Sequence, residues 1–523
     1  MIGRAASLWE LVERRAEETP DALLAVDVES GTALSFAGYR DAARRAAAGL
    51  AARGVAADTP VTWQLPTRLS SLVLVAALAR LGAVQNPVLP MHRARELSFA
   101  VRQSAARLLA VPPSWRGFDH AALAREIAAA APGLQILLVD EALPEADPGG
   151  LPPPPAASAS TRWIFTTSGT TGEPKAARHG DASLAAAASA MAERLALAPD
   201  DRVALVFPFT HVGGITWLFA GLMAGSTHLV VPVFDAKATP GLLARHGVTQ
   251  ATAGTVFHQA YLAAQRALPP GADGRRPRLF PRVRAFPGGG APKPPQLHRD
   301  VRAELGGAGI VSGYGMTECP IATMNAVSDP DDRLAHTEGR PTPGMEVRVV
   351  RPDGREAPPG EEGEIRVRGP QLFAGYVDAA RDAEAFDAQG FFRSGDLGAL
   401  DATGFLTVTG RLKDVIIRKG ENIHAKEVED HLFEHPRVAD VAVIGLPDPE
   451  AGERCCAVLV CAPGARVELA ELADFLRGRG LAAQKIPERL ERVESLPRNT
   501  AGKVLKGELR ARYAPPGPRG QNS

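Results

Sequence analysis

Cysteine is scarce in this chain of 523 residues, which contains only Cys319, Cys455, Cys456 and Cys461. Four thiols in a chain of this length do not make the disulfide framework of small secreted domains, and no CxxC pair indicates a zinc site. We therefore interpret the cysteines as structural residues of a protein from a reducing compartment.

An excess of charge is also missing, since 59 basic residues balance 59 acidic ones. Nucleic acids and anionic membranes usually bind basic faces, so neither is predicted as the main partner. Glu10 and Glu13 interrupt the apolar N-terminal run, which argues against a signal peptide. The apolar stretch 72–81 is half as long as the ~20 residues that a bilayer span needs. These features predict a soluble, cytoplasmic protein.

Lysine is the third scarce residue, with nine lysines against fifty arginines. The ammonium group is a compact point charge and the guanidinium group is a planar fork, so the two are not interchangeable. A lysine that is kept in a glycine-rich or turn segment can therefore mark a position that needs an ammonium group. Lys175 and Lys503 stand in such segments.

The length of the chain exceeds one compact core, so at least two domains are expected. Apolar runs at 163–165, 203–207, 228–233 and 283–286 alternate with helical stretches, which predicts parallel α/β layers. From about residue 340, short strands closed by turns predict a β-rich subdomain. The last ~110 residues have the size and pattern of a small α+β domain. The predicted fold class is α/β, with a large layered N-terminal domain and a small C-terminal one.

The strongest local signal is the run Thr166-Thr-Ser-Gly-Thr-Thr-Gly-Glu-Pro-Lys175, between an apolar strand and an alanine-rich helix. Its glycines and hydroxyl groups predict a flexible loop whose N–H and O–H groups wrap phosphate oxygens, with Lys175 adding charge. The spacing GxxxxGK[ST] is absent, so this is not a Walker loop.

This run resembles the phosphate loop of the adenylate-forming superfamily, which includes acyl-CoA synthetases, luciferases and the adenylation domains of peptide synthetases. Further motifs resemble those of the family in the family's order and span most of the chain: Phe207-Pro-Phe-Thr-His211, Gly288-Gly-Gly-Ala-Pro292, Tyr314-Gly-Met-Thr-Glu318, Arg393-Ser-Gly-Asp396, Gly410-Arg-Leu-Lys-Asp414, Lys419-Gly-Glu-Asn422 and Pro497-Arg-Asn-Thr-Ala-Gly-Lys503. We therefore identify the chain as a member of this superfamily.

The resemblance implies an ATP site and a reaction in which a carboxylate attacks the α-phosphate. Lys503 would neutralise the approaching carboxylate, Thr317 would bind the α-phosphate, Glu318 would ligate Mg²⁺, and His211 would lie beside the acyl carboxylate. The residues implied to bind ATP or AMP are Thr167, Ser168, Gly169, Thr170, Thr171, Gly172, Lys175, Gly289, Gly290, Ala291, Pro292, Tyr314, Gly315, Thr317, Asp396, Arg411 and Lys503. Asp396 is suited to the ribose because a carboxylate accepts hydrogen bonds from both hydroxyls.

The second half-reaction of the family uses a rotated C-terminal domain, and Lys413 matches the family's hinge. The resemblance implies an N-terminal domain over 1–412, a mobile C-terminal domain over 413–515 and a disordered tail over 516–523. The thiol arm of coenzyme A would pass residues Lys419, Gly420 and Glu421. This path does not distinguish free coenzyme A from the arm of a carrier protein supplied in trans.

The acid to be activated would occupy a pocket lined by Phe209, His211, Val256 and Gly289. His258 lies near this segment, and its role stays open. Ala176 and Ser394 stand where the family usually has glycine and threonine, and Ser394 keeps the hydroxyl group.

Taken whole, the sequence is most similar to medium-chain and alicyclic acyl-CoA ligases, such as cyclohexanecarboxylate–CoA ligases. The implied cofactors are ATP, Mg²⁺ and coenzyme A, and the implied partner is a small carboxylic acid. Three alternatives stay open: a stand-alone adenylating enzyme of a biosynthetic pathway, a luciferase-like oxidative enzyme, and a non-catalytic nucleotide-binding regulator. The sequence leaves open which acid is used and the oligomeric state.

Overall fold

The computed structural model describes residues 2, 7–155, 160–167, 174–252, 254–419, 421–498 and 502–514. The α-helices of this part are α1 Leu8–Glu18, α2 Phe36–Ala51, α3 Leu69–Leu81, α4 Ala94–Ser104, α5 His120–Ala129, α6 Asp181–Arg194, α7 Val212–Ala224, α8 Thr239–Arg245, α9 Thr255–Ala267, α10 Pro295–Glu304, α11 Asp331–His336, α12 Asp382–Ala385, α13 Ala425–Phe433, α14 Leu469–Gly478 and α15 Lys506–Tyr513.

The β-strands of the same residues are β1 Leu23–Asp27, β2 Ala33–Ser35, β3 Pro60–Trp63, β4 Val84–Pro87, β5 Leu108–Val111, β6 Ser114–Trp115, β7 Phe118–Asp119, β8 Gln135–Leu138, β9 Trp163–Thr167, β10 Lys175–His179, β11 Arg202–Leu205, β12 Thr227–Val230, β13 Phe286–Gly288, β14 Ile310–Met316, β15 Cys319–Met324, β16 Arg340–Pro341, β17 Glu346–Val350, β18 Gly363–Arg368, β19 Phe392–Leu400, β20 Leu406–Arg411, β21 Val415–Arg418, β22 Glu421–His424, β23 Val438–Asp448, β24 Gly452–Cys461 and β25 Arg489–Arg492.

Two largely parallel sheets form the first half of the N-terminal domain. One has the strand order β10-β9-β4-β3-β5-β8 and the other the order β11-β12-β1-β2, with β10 and β2 as their antiparallel edges. Strands β5 and β12 are buried at every position, as expected where helices cover both faces of a parallel sheet. The predicted α/β layers are confirmed.

Helices and loops follow local signals in the sequence. Helix α1 begins after Ser7, whose hydroxyl accepts a hydrogen bond from the Glu10 amide at 3.2 Å. Helix α7 is almost wholly buried and ends at Gly225, which adopts a φ of 80°. Among the described residues, no helix combines the length and the apolar composition that a transmembrane span requires.

The β-rich part contains the order β13-β14-β15-β16 and the antiparallel meander β17-β18-β19-β20. In β18 buried and half-buried residues alternate, so one face packs on the core, as predicted for this part of the chain. Strand β13 is displaced from the predicted run 283–286: only Phe286 of that run lies in it. Val283 and Arg284 instead follow a turn at the surface of the core cluster that contains Phe286.

The small C-terminal domain has its own sheet, in the order β22-β21-β24-β23 with β25 beside β24. Its faces carry separate apolar clusters, one centred on Val428, Leu432 and Leu459 and the other on Ile444 and Val458. A large N-terminal domain and a small α+β domain are therefore both present, as the sequence predicted.

Candidate active site

Asp396 lies at the centre of a group of hydrogen-bonded polar side chains, near Lys503 of the C-terminal domain. It lies opposite Arg411 in the β19–β20 pair, and Arg411 Nε is 2.8 Å from Asp396 Oδ1. The Tyr314 hydroxyl donates to Asp396 Oδ2 at 2.9 Å, and the Ser394 hydroxyl accepts from the Asp396 amide at 3.1 Å. A carboxylate offers about four lone-pair directions, so both oxygens retain acceptor capacity for a diol such as ribose.

Lys503 lies close enough to this group for charges to interact. The surrounding charged groups are Asp396, Arg411, Lys413 and Asp414, and burial is the main cause that lowers the pKa of Lys503 to about 8. The C-terminal domain therefore presents its loop lysine to the residues predicted to hold the nucleotide. A partly desolvated ammonium group is suited to neutralising an anion that enters the site.

Glu318 forms the second polar centre. The Tyr376 hydroxyl donates to Glu318 Oε1 at 2.7 Å, and Lys175 Nζ lies 5.0 Å from the centroid of the Tyr376 ring. Burial raises the pKa of Glu318, while the Tyr376 hydrogen bond and the charges of Lys175 and Arg411 lower it. A cation beside this carboxylate would compensate for the desolvation.

The donor set fits magnesium bound together with a nucleotide. Within the described ranges, no group of three or more His, Cys, Asp or Glu side chains is placed to hold a metal ion. Magnesium commonly takes only one or two protein carboxylates and fills its other positions with phosphate oxygens and water. Glu318 can supply that single carboxylate.

Thr317 is held by a histidine that the sequence did not single out. His179 Nε2 lies 2.8 Å from the Thr317 carbonyl oxygen, so this nitrogen carries the proton and donates. The other ring nitrogen lies 2.9 Å from the Ser183 hydroxyl. Burial lowers the pKa of His179 to about 4, so the ring is neutral and fixes the backbone next to Glu318.

The predicted phosphate loop is partly described. Residues Ser168, Gly169, Thr170, Thr171 and Gly172 lie outside the described residues. Its flanks do not form a loop, because Thr167 ends β9 and Lys175 begins β10, where the two residues are paired. We did not predict β10, since Lys-Ala-Ala-Arg-His has weak strand propensity. The strand forms through its backbone, which bonds to β9 and to the segment 374–377.

The glycine-rich turn after β13 lies against β14. A Cβ atom on Gly289 would lie 3.0 Å from the Gly313 carbonyl oxygen, and one on Gly315 would lie 2.0 Å from that of Pro320. Gly290 adopts a φ of 76°, which glycine tolerates best. Ala291 and Pro292 follow, and the Pro292 carbonyl accepts from the Thr255 hydroxyl at 2.7 Å. The turn is thus fixed between β14 and α9.

Lys293 is a buried lysine that we did not assign to the site. Its Nζ donates to the carbonyl oxygens of Leu334 and Ala335 at the end of α11. Burial lowers its pKa to about 8, and its charged neighbours include Glu338 and the C-terminal-domain residue Lys426. This lysine therefore links the glycine-rich turn to the end of α11 and lies near Lys426 of the C-terminal domain.

An apolar cavity of about 370 Å³ lies beside the lysine loop. It is lined by residues 66–67, 90–91, 115–116, 206–208, 231–234, 236, 256–257, 260, 498 and 502. Of the residues predicted for the acyl pocket, Val256 lines this cavity. Phe209 is 1% exposed and packs against Trp63 in the core, with 6.1 Å between the ring centroids.

His211 caps helix α7, because its Nδ1 accepts a hydrogen bond from the Gly213 amide at 3.1 Å. Burial lowers the pKa of His211 to about 4, so the ring is neutral and able to accept this bond. His258 is 1% exposed, and burial lowers its pKa to about 3. Its Nε2 has no hydrogen-bond partner among the described residues.

The hinge and the predicted thiol path lie at the start of the C-terminal domain. Lys413 is exposed in a short 3₁₀ turn over Leu412–Asp414. Lys419 and Glu421 are exposed in the hairpin of β21 and β22, and Gly420 lies outside the described residues. Lys503 and Lys413 both lie near enough to Asp396 for their charges to interact with it.

Comparisons with known proteins identify the family to which the chain is similar. The model of the AMP-binding enzyme family matches residues 12–377, and that of the AMP-binding enzyme C-terminal domain matches residues 427–503. The salicyl-AMP ligase/salicyl-S-ArCP synthetase of Mycobacterium tuberculosis is 36% identical over 96% of this chain and 91% of the relative.

A second relative is the medium-chain fatty-acid–CoA ligase of Escherichia coli, which is 31% identical over 97% of this chain and 90% of its own length. Among solved structures, ATP-bound MatB from Rhodopseudomonas palustris superposes with a TM-score of 0.83 at 29% identity. The superposition covers 97% of this chain and 99% of that structure.

Proposed function

The chain belongs to the AMP-binding enzyme family, and we propose from this premise that it is an ATP-dependent carboxylic acid–CoA ligase. It would activate a medium-chain, alicyclic or related acid as an acyl-AMP and then transfer the acyl group to coenzyme A. The observation that carries the proposal is the convergence of Lys503 on Asp396, which Tyr314 and Arg411 hold in place.

In the first half-reaction a carboxylate oxygen attacks the α-phosphorus of ATP. A new O–P bond forms, the P–O bond to the β-phosphate breaks, and pyrophosphate leaves with the electron pair. Because both reactants are anions, cationic groups lower the barrier. Lys503 would neutralise the approaching carboxylate, Thr317 would donate to the α-phosphate, and Lys175 would bind the phosphates that leave.

Asp396 would accept hydrogen bonds from the ribose hydroxyls, and the turn at Gly289–Pro292 would hold the adenine. Magnesium bound with ATP supplies charge neutralisation at the phosphate oxygens. Glu318 is the residue that would hold the metal, and Tyr376 orients its carboxylate. His179 keeps the Thr317 backbone in place from the other side.

In the second half-reaction a thiol sulfur attacks the acyl carbon of the acyl-AMP. A C–S bond forms, the C–O bond to AMP breaks, and the thiol proton is released. We propose that the C-terminal domain, beginning at 413, turns about Lys413 and brings Lys419 to Glu421 to the path of the thiol. The exposure of that hairpin in the present arrangement supports this, since Lys503 occupies the position beside Asp396.

The apolar cavity would receive the hydrocarbon part of the acid. Its lining is mostly aliphatic and aromatic, and Gly502 places it next to the lysine that would meet the carboxylate. Val256 would therefore limit the size of the acid. His211, as a neutral ring at the start of α7, would lie beside the carboxylate.

One observation favours a carrier protein, rather than coenzyme A, as the acceptor of the acyl group. The relative with 36% identity is a salicyl-AMP ligase/salicyl-S-ArCP synthetase, whereas the relative with 31% identity makes a CoA thioester. The alternative function is therefore a stand-alone adenylating enzyme that supplies a carrier protein. We propose the cytoplasm as the setting of either reaction.

Pyrophosphate exchange with a panel of linear, alicyclic and aromatic acids tests the first half-reaction. The same panel with coenzyme A, or with a carrier protein bearing its pantetheine arm, and mass detection of the products tests the second. Exchange followed by acyl-CoA formation supports the proposal. Exchange with a thioester formed only on the carrier would establish the alternative, and no exchange with any acid would contradict both.

A further inference from the structure

Arg498 begins the segment that carries Lys503 and is fixed by three side-chain hydrogen bonds. Its Nη2 donates to both carboxylate oxygens of Asp440, at 2.9 and 2.7 Å. Its Nη1 donates to the carbonyl oxygen of Gly502, the residue directly before Lys503. One guanidinium group therefore ties the backbone next to the lysine to a carboxylate in β23.

Backbone contacts also join the residues on the two sides of this segment. Arg498 and Val504 form an antiparallel bridge, and the Leu505 amide donates to the Pro497 carbonyl at 2.8 Å. On the other side, a Cβ atom on Gly502 would lie 2.8 Å from Val256 Cγ2 of the N-terminal domain. The residue before Lys503 thus has little freedom to move toward α9.

The anchor Asp440 lies near the start of β23, the longest strand of the C-terminal sheet, next to a shift of register between Val438 and Asp440. Strand β23 pairs with β24 from Val438 to Asp448. Asp440 and Arg498 have side chains that are about one-fifth exposed, so the pair is only partly screened by water. Charge-assisted hydrogen bonds are stronger than neutral ones, and the planar fork of arginine fixes direction as well as distance.

We propose that Arg498 is a positioning residue, which holds Lys503 at the adenylation site by clamping the Gly502 carbonyl to Asp440. The inference rests on the proposed role of Lys503 in adenylation. Catalytic groups displaced by about 1 Å can lose about 100-fold in rate. A clamp on the preceding carbonyl therefore controls the first half-reaction without contact with the reacting atoms.

Arg498 also lines the apolar cavity, which offers a different role as a direct contact of the acid. The two roles predict different effects of changing Asp440. A clamp fails when either partner is changed, whereas a substrate contact needs the guanidinium group and not its anchor. The half-reaction of acyl transfer from acyl-AMP should not need the clamp, because Lys503 acts in adenylation.

The test compares Arg498→Lys, Asp440→Asn and the double variant with wild type. We expect pyrophosphate exchange to fall about 10- to 100-fold in each single variant with little change in KM for the acid. The exchange rate of the double variant should be no lower than that of the less active single variant, because both changes break the same clamp. Thioester formation from added acyl-AMP should stay within about twofold of wild type. Arg489→Lys, in a partly exposed pair with Glu491, is the control and should leave both half-reactions unchanged.

The pH profile separates positioning from general damage. Burial holds the pKa of Lys503 at about 8, among the charges of Asp396, Arg411, Lys413 and Asp414. A displaced, better-solvated lysine should titrate closer to 10.5, so the alkaline limb of kcat/KM for exchange should move to higher pH.

The contrary results are distinct. An increase in KM for the acid in Arg498→Lys, with Asp440→Asn unchanged, would overturn the clamp and assign Arg498 to substrate contact. Equal loss in both half-reactions with an unshifted alkaline limb would overturn it as well. Full exchange in Lys503→Ala would instead contradict the proposed function itself.

Discussion

The Tyr376 hydroxyl lies 2.7 Å from Glu318 Oε1 and donates a hydrogen bond to it. The face of the same tyrosine ring lies 5.0 Å from Lys175 Nζ. One aromatic side chain therefore connects the lysine predicted to bind phosphate with the carboxylate predicted to bind magnesium. The chain separates these three residues widely, and strand β10 brings them together by its bridge from Ala177 to Tyr376.

Replacing Glu318 with glutamine should raise the magnesium concentration that adenylation requires. The amide keeps the size of the side chain and removes the charge next to the metal. We expect an increase of about tenfold or more in the concentration for half-maximal pyrophosphate exchange. Glu304→Gln, in a surface pair with Arg266, is the matched control. Unchanged exchange at limiting magnesium would contradict the assignment of Glu318.

Replacing Lys503 with alanine should slow pyrophosphate exchange by about 100- to 1,000-fold, because the site loses the charge that meets the carboxylate. Acyl transfer from added acyl-AMP should persist. Lys485→Ala, which removes a lysine paired with Glu427 in the same domain, should affect neither half. An equal loss in both halves would show that Lys503 does not serve adenylation alone.

Replacing Lys413 with proline should separate the two half-reactions. Proline fixes φ and removes an N–H group, so the rotation of the C-terminal domain should be blocked. Exchange should persist, while thioester formation from acyl-AMP should fall by about tenfold or more. Alanine leaves the backbone free and should be milder for thiolation. An unchanged ratio of the two rates in a proline variant with a normal melting curve would exclude rotation about this residue.

Replacing Val256 with tryptophan should reduce the size of acid that is accepted. The larger ring would fill part of the cavity beside Gly502, so KM should rise by about tenfold or more for the larger acids and little for the smaller ones. Leu138→Trp, at a position that is 48% exposed, is the control. Adenylation that is equal across the panel, with thioester formation alone slowed, would assign the cavity to the thiol arm.

Replacing His228 with leucine should weaken the loss of stability in acid. His228 is 1% exposed, neither ring nitrogen has a partner among the described residues, and burial lowers its pKa to about 4. As pH falls from 6.5 to 4, the unfolded chain binds the proton first, so the native state loses stability. For one residue this amounts to at most about 3 kcal/mol.

Urea unfolding at pH 7.5 and pH 5 measures this difference. The His228→Leu variant should lose less stability between the two pH values than wild type does. His336→Leu, at an exposed position of α11, should leave the wild-type loss in place. An identical loss in His228→Leu would show that this ring is not a source of the acid sensitivity.

The fold was predictable where a pattern depends on neighbours in the chain. The buried strand at Trp163 and the hairpins after residue 340 both follow from local periodicity. Strand β10 was not predictable, because its stability comes from backbone pairing with β9 and with the segment near Tyr376. Strand β13 was misplaced by a few residues, since a short apolar run does not mark its own ends.

The motifs indicated Lys503, Asp396 and Glu318, since a nucleotide site requires charged residues in fixed segments. They did not indicate Tyr376, His179 or Lys293, whose roles depend on contacts across the fold. No local signal marks Tyr376 or His179, because a tyrosine or histidine that supports another side chain looks like any core aromatic. The scarcity of lysine could have marked Lys293 as unusual.

The proximity of Arg411 to Lys413 has a further consequence. The ion pair of Asp396 and Arg411 lies on the N-terminal side of the proposed hinge, and Arg411 is two residues before Lys413. If the C-terminal domain turns about Lys413 as proposed, Asp396 and Arg411 would stay with the N-terminal domain while Lys503 moves away. The hairpin at 419–421 would therefore replace Lys503 at the site while the acyl-AMP stays bound. The reactive acyl-AMP would not have to dissociate into water between the two half-reactions.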